Sequence, residues 1–151
     1  MSYDQDIAVG LAERISWARI ARWSPDAVYD ATSVVPAIFI RDIPDMTACP
    51  VVTISPYPVT EEWLPLVEEC GRWGVRDSIL GVQVRTRGLP RDHKTVDALD
   101  EAVWRQLHGL MSVSIGGHQV SQVAWKSGAM LGKDENERWI RSSNYYIHGP
   151  R

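Results

Sequence analysis

Cysteine is scarce in this chain. Cys49 and Cys70 are the two copies, too few for a disulfide scaffold and without CxxC spacing, so the expectation is inert buried thiols, a reducing compartment and no thiolate metal cluster. Long hydrophobic runs are missing as well. The longest, Val34 to Ile40, is far short of a membrane span. Met1-Ser-Tyr-Asp-Gln-Asp6 is acidic where a signal peptide is basic, which predicts a soluble protein made and kept inside a cell, at least at first, with no membrane partner. No block of like charge occurs: 16 Lys+Arg against 19 Asp+Glu give a formal net charge of -3. That balance disfavours broad attraction to nucleic acid or acidic membranes.

Phenylalanine and lysine are the other shortages, with Phe39 alone and three Lys. Their places are taken by seven Trp, five Tyr and thirteen Arg. Trp, Tyr and Arg are enriched at the centres of protein interfaces, where Lys is depleted. A GC-rich genome, which favours Arg codons over Lys, accounts for the Arg excess equally well. With 151 residues, 44% hydrophobic and 23% charged, the chain fits one globular domain over residues 1–151.

Ile7, Leu11, Ile15 and Ala18 recur at helical spacing and predict an amphipathic helix from about Asp4 to Arg22, ended by Ser24-Pro25. A strand is expected around Ala37 to Arg41. Another, Val51 to Tyr57, is bracketed by Pro50 and Pro58. Thr60 to Val75 has no clean period and reads as a long loop or short helix. Leu80, Val82, Val84 and Thr86 alternate with Gln83, Arg85 and Arg87, the mark of a strand with one core face and one wet or partner-facing face. Gly88-Leu-Pro90 is expected to break it. Asp92 or Thr95 can cap a second helix with a buried Val96-Leu99-Val103-Leu107 stripe, a solvent face of Asp97, Glu101 and Arg105, and Gly109 at its end. Trp104 lies off that stripe and is expected to be partly exposed. The last third reads as Val113 to Ile115, a Gly116-Gly117 turn, Gln119 to Trp125, a connection through Gly128 and Gly132, and a final strand from Arg138 to Ile147. This order predicts an α+β fold, a mostly antiparallel or mixed sheet packed against two helices, with a β-hairpin extension.

Catalytic constellations are lacking. His93, His108, His118 and His148 form no HxxxH or HExxH pair, no GxSxG elbow accompanies them, and no GxGxxG or GxxxxGK[ST] follows a strand. Gly132-Lys-Asp-Glu-Asn-Glu137 has acidic oxygens but not the alternate spacing or sixth-position glycine of a calcium loop, so a charged hairpin turn is expected there. No cofactor, metal or enzymatic activity follows from the sequence. Arg85 and Arg87 leave one strand face about 7 Å apart, where a phosphate could sit. With an acidic net charge they read better as interface residues than as RNA ligands.

Val82-Gln-Val-Arg-Thr-Arg-Gly88, the helix ending Leu107-His-Gly109, the Gly116-Gly117 turn, and Gly132-Lys-Asp-Glu-Asn-Glu-Arg138 leading to Arg141-Ser-Ser-Asn-Tyr-Tyr-Ile147 together resemble the tail terminator proteins of long-tailed phages, often described as minor capsid or minor tail proteins. The N-terminal helix, Pro44-Asp45 and Ser55 to Tyr57 extend the resemblance over most of the chain. The acidic turn departs from the family pattern, which has an Arg and a later Gly where this chain has Lys133 and Glu137. The resemblance implies a non-enzymatic virion part of the tail or neck, made in the bacterial host cytoplasm. The same resemblance implies a six-fold homo-oligomeric ring that caps the tail tube protein, stops polymerisation and presents a surface to the head-tail connector protein. A head-side joining protein is the alternative. Interface candidates are Arg85, Arg87, Trp104, the pair Asp134 and Arg138, and Glu61, Glu62, Trp63, Glu68 and Glu69 in a Pro58 to Arg76 loop. The Gly128 to Glu137 segment is expected to be a second docking loop.

Overall fold

The computed structural model describes residues 2–26, 28–29, 34–43, 49–59 and 77–150; the stretch read as a loop or short helix, Thr60 to Val75, lies outside them. Helix α1 (Tyr3–Trp17) starts at Ser2, whose hydroxyl accepts the Gln5 N–H, with Asp4 and Asp6 at the positive end of the helix dipole. Ile7, Ala8, Leu11, Ala12 and Ile15 are its buried face; burial of each large one contributes roughly 1.5–3 kcal/mol. The helix stops at Trp17, not at the expected Arg22. Arg19 turns left-handed at φ 59°, and the Arg19 and Ile20 N–H groups bond back to the Ser16 and Ile15 carbonyls, closing the helix well before Pro25.

Seven further elements follow among the described residues: β1 (Ala37–Ile40), β2 (Val51–Pro58), β3 (Asp77–Pro90), α2 (His93–Leu107), β4 (Met111–Ile115), β5 (His118–Lys133) and β6 (Arg138–Pro150). The strands form one sheet in the order β1-β2-β3-β6-β5-β4, with β1 and β2 parallel and all other neighbours antiparallel. This mixed sheet curls into a half-barrel over two helices, an α+β architecture as expected. Val52, Ile54, Leu80, Val82, Val84, Tyr145 and Ile147 share one core with Ile7, Leu11 and Ile15 of α1 and Leu99, Val103 and Leu107 of α2. The other face is mixed, with polar residues such as Gln83, Arg85 and Asn144 beside Ile79 and Ile140, and a small apolar cluster beside β1. There Phe39, Cys49 and Val51 pack with Tyr29, whose hydroxyl donates to the Ile38 carbonyl and accepts the Ser24 N–H. Arg22 bridges the outer edge of β1 through Pro36 and Ile38.

Two punctuation signals mislead. Gly88-Leu-Pro90 does not break β3, which continues to Pro90 opposite Arg138 through a bulge after Arg87. Gly128 and Gly132 are not a connection but lie inside β5, whose register against β6 shifts between Trp125 and Ser127 and again between Met130 and Gly132. Bulges absorb the extra residues and let the ladder go on. The turn is accordingly short, confined to 134–137, and the segment expected as a flexible second docking loop is mostly strand.

The Gly116-Gly117 turn is as expected: φ values of 58° and 80° make a two-residue hairpin of Ile115 and His118. It lies against α1. Gly10 is so near that a Cβ there would stand 2.2 Å from the Gly116 nitrogen, and His118 Nε2 is 3.1 Å from Asp6 Oδ2. On α2, Asp92 is the cap, its carboxylate accepting the Lys94 and Thr95 N–H groups at 3.0 and 3.2 Å. The Val96-Leu99-Val103-Leu107 stripe is buried.

Candidate assembly surfaces

The two faces of the sheet carry different chemistry. On the helix side, the outer flank of α2 and strands β5 and β6 enclose a cleft of about 480 Å³. Trp104 on α2 and His108, the cap residue just past its end, stand one turn apart and stack, ring centroids 5.0 Å apart at 20°. His108 Nδ1 accepts the Trp125 backbone N–H at 3.1 Å, and both indoles line the cleft. Trp104 is 39% and Trp125 40% exposed. Off-stripe geometry therefore leaves Trp104 open, as its helical position predicts. Asp100 forms the floor: it accepts the Ser143 hydroxyl at 2.9 Å and pairs with Arg141 at 3.1 Å, while Arg141 also reaches Asp97 at 3.0 Å. Burial pushes the Asp100 carboxyl above the ordinary range, against the pull of Ser143 and Arg141. The lining of the cleft thus sets three carboxylates, Asp97, Asp100 and Glu101, against the single guanidinium of Arg141.

The open side carries neutral polar groups and cations, with the Lys126 ammonium over the Tyr146 ring. Gln83 donates to Asn144 at 3.4 Å, and Asn144 donates to the Ser127 hydroxyl at 3.0 Å, an amide ladder across β3, β6 and β5. Tyr57 covers Gly81, where a Cβ would fall 2.4 Å from the ring. Arg85 stands in register between Thr53 and Ser142, on the face opposite Val84, and is exposed. Its guanidinium makes no hydrogen bond or ion pair among the described residues.

Arg87, two residues along the same face, is half-buried and donates to the Cys49 carbonyl at 3.4 Å. Burial and the charge of Arg138 lower its pKa. The two arginines are therefore not equivalent. Asp134 and Arg138 meet each other within the β5–β6 turn: the Asp134 carboxylate accepts the Asn136 N–H, the Arg138 N–H and Arg138 Nε, each at 2.9 Å. The Arg138 side chain is 9% exposed, so this pair clamps the hairpin tip of its own chain. Glu61, Glu62, Trp63, Glu68 and Glu69 lie outside the described residues. Sequence reasoning missed His108, Trp125, Asp100 and Arg141. One local signal was readable: Asp100 follows Leu99 directly, a carboxylate at the margin of the apolar stripe, one turn before Trp104.

No helix among the described residues is long and apolar enough to cross a membrane. A family model described as bacteriophage tail terminator protein matches residues 15–149, a span that holds α2 and all six strands but for the last residue of β6. No curated protein matches the chain.

Proposed function

The chain belongs to the bacteriophage tail terminator family, whose members are structural components of the virion tail, and we propose that it acts as a homohexameric ring that caps the tail tube. In this reading residues 1–151 act as one domain. Synthesis takes place in the host cytoplasm. The ring seats on the tail tube protein, ends polymerisation, and offers its other side to the head-tail connector protein. The physical requirement is simple. A tube grows because each added ring presents the same acceptor surface that it consumed, so growth stops when a ring of matching symmetry but different outer face binds.

The observation that carries the reading is the family match over residues 15–149. The surfaces support it: an uncommitted Arg85 on one face and two exposed indoles, Trp104 and Trp125, on the other, are residue types suited to an interface centre. The acids Glu61, Glu62, Glu68 and Glu69, with Trp63, supply a further docking segment in this proposal. Arg87, Asp134 and Arg138 contribute indirectly, by fixing the strand and turn that present the contact residues.

Deleting the gene in the phage tests the assignment. Intact heads beside tails of uncontrolled length that fail to join them are expected. Normal-length, head-attached tails overturn the assignment, and empty heads beside normal free tails place the protein on the head side of the junction instead. Charge reversal at Glu61, Glu62, Glu68 and Glu69 is expected to reproduce the long-tail phenotype partially, with the purified domain melting unchanged.

A further inference from the structure

The helix-side cleft and the open sheet face differ in charge, and each is unsuited to meeting its own copy. Two open faces placed together would set Arg85 against Arg85. Two clefts placed together would set Asp97 and Glu101 against the same carboxylates. Like charges brought together in a desolvated contact repel, and opposite ones attract. We infer that the subunits join head to tail, the open face around Arg85 of one copy seating on the acidic, indole-lined cleft of the next copy, with Glu101 and Asp97 receiving the guanidinium.

The placement fits the symmetry that such a contact needs. Arg85 and Val84 leave opposite faces of β3, and Val84 lies on the side covered by α2, with Ser143 in register beside it and bonded to Asp100. Donor and acceptor surfaces therefore sit on opposite sides of one sheet. A contact between two different surfaces repeats from copy to copy and closes as a ring when the rotation permits, whereas a self-complementary patch stops at a dimer. Glu101 is available for recruitment: its partner within the chain is Arg105 at 2.6 Å, an exposed pair one turn apart with side chains 60% and 70% accessible, the kind that contributes little to stability. Arg85 has no such competitor among the described residues. Around this pairing, Gln83, Asn144 and Ser127 offer hydrogen-bonding groups, and Trp104 and Trp125 offer flat area that is half open in the single chain.

The inference rests on the ring reading, and a charge swap separates the two. Full-length wild type, Arg85→Glu, Glu101→Arg and the double variant would be mixed with purified tail tube protein, and rings on tube ends counted by negative-stain microscopy and sized by light scattering. Each single reversal is expected to raise the protein concentration needed for half-capping by about tenfold or more, and the double variant to recover most of that loss. Thermal melting of each variant alone is expected to match wild type, because both side chains are exposed. Trp104→Ala is expected to weaken capping without the charge signature, its effect persisting at high salt while that of Arg85→Glu shrinks. Wild-type rings together with singles that cap normally, or a double variant no better than the two losses combined, overturn the head-to-tail pairing and leave the ring reading standing. Wild type that never forms rings on tubes overturns the ring reading, and the pairing with it.

Discussion

Alanine at Gly10 is expected to destabilise the fold although it lies in the middle of a helix. Helix propensity alone favours the change by about 1 kcal/mol. The packing opposes it more strongly. A Cβ on Gly10 would stand 2.2 Å from the Gly116 nitrogen, 2.7 Å from the Gly116 Cα and 2.9 Å from Ile115 Cγ2. Ordinary contact begins near 3.4 Å, so the hairpin turn must retreat from α1 by more than an ångström. Two of the three obstacles are backbone atoms, which no rotamer change can move. Retreat would also loosen the packing of Ile115 in the core and strain the Asp6–His118 contact at 3.1 Å. Overpacking costs about 1–3 kcal/mol, and a backbone obstacle places this site at the upper end. Subtracting the helix gain leaves a net loss of about 2 kcal/mol, or about 4–8 °C in Tm for a chain of this size. Calorimetry and circular dichroism melting of Gly10→Ala and wild type measure it directly. Gly117→Ala is the control: its φ is 80° and nothing lies within 4 Å of the added carbon, so it suffers only left-handed backbone strain, about 1 kcal/mol. A Gly10→Ala variant that melts higher than wild type would refute the close approach of helix and turn.

Three other outcomes are expected. Asp134→Ala leaves the buried Arg138 guanidinium without its clamp and should cost about 2–3 kcal/mol. Burial raises the Asp134 pKa, but three donations from Asn136 and Arg138 and the Arg138 charge outweigh it and lower it overall. The Asp134 contribution is therefore fully present above the ordinary aspartate range near pH 4 and is lost as pH falls through the lowered value, so the wild-type advantage over Asp134→Ala should shrink in acid melts. Tyr145→Phe removes a buried hydroxyl that has no hydrogen-bond partner among the described residues and should be neutral or raise stability by up to about 1 kcal/mol in urea unfolding; a loss of 2 kcal/mol or more would show that the hydroxyl is bonded in solution. Glu137 occupies the left-handed region at φ 58°, and it ion-pairs with the exposed Arg91. Glu137→Gly should relieve about 1 kcal/mol of strain against a surface pair contributing less than that, giving an unchanged or slightly higher Tm.

Local patterns with a clear period were legible in the sequence. The alternation of β3 gives the correct faces for Val82, Val84 and Arg85, the apolar stripe of α2 and its Asp92 cap are where the spacing puts them, and Trp104 is open because it falls off that stripe. What failed was punctuation. Gly128 and Gly132 carry the statistics of a loop, yet long pairing with β6 overrides them and the bulges absorb the mismatch. The end of α1 depends on Arg19 adopting a positive φ, for which a side chain of that type gives no cue. Contacts between distant elements left no trace either. The Cys49 carbonyl that separates Arg87 in role from Arg85 lies two residues before β2, and the cleft is assembled from Trp104, Trp125 and Arg141 on three different elements.

The strand order has a consequence for how a copy comes into being. β1, β2 and β3 are sequential neighbours, and so are β4, β5 and β6, but among the described residues the two trios pair only along β3 and β6. β6 follows every other strand in the sequence and yet lies at the centre of the sheet, with Tyr145 and Ile147 in the core. A nascent chain that has not reached Arg138 thus holds two half-sheets with no seam between them, and β3 keeps an unpaired edge next to hydrophobic residues. Folding waits on the last strand, a non-local pairing of the kind that sets a slow step. Frameshifts or stops shortly before Arg138 should yield aggregating fragments and no partly working subunit, and both surfaces flanking the sheet come into existence together, when β6 closes the seam.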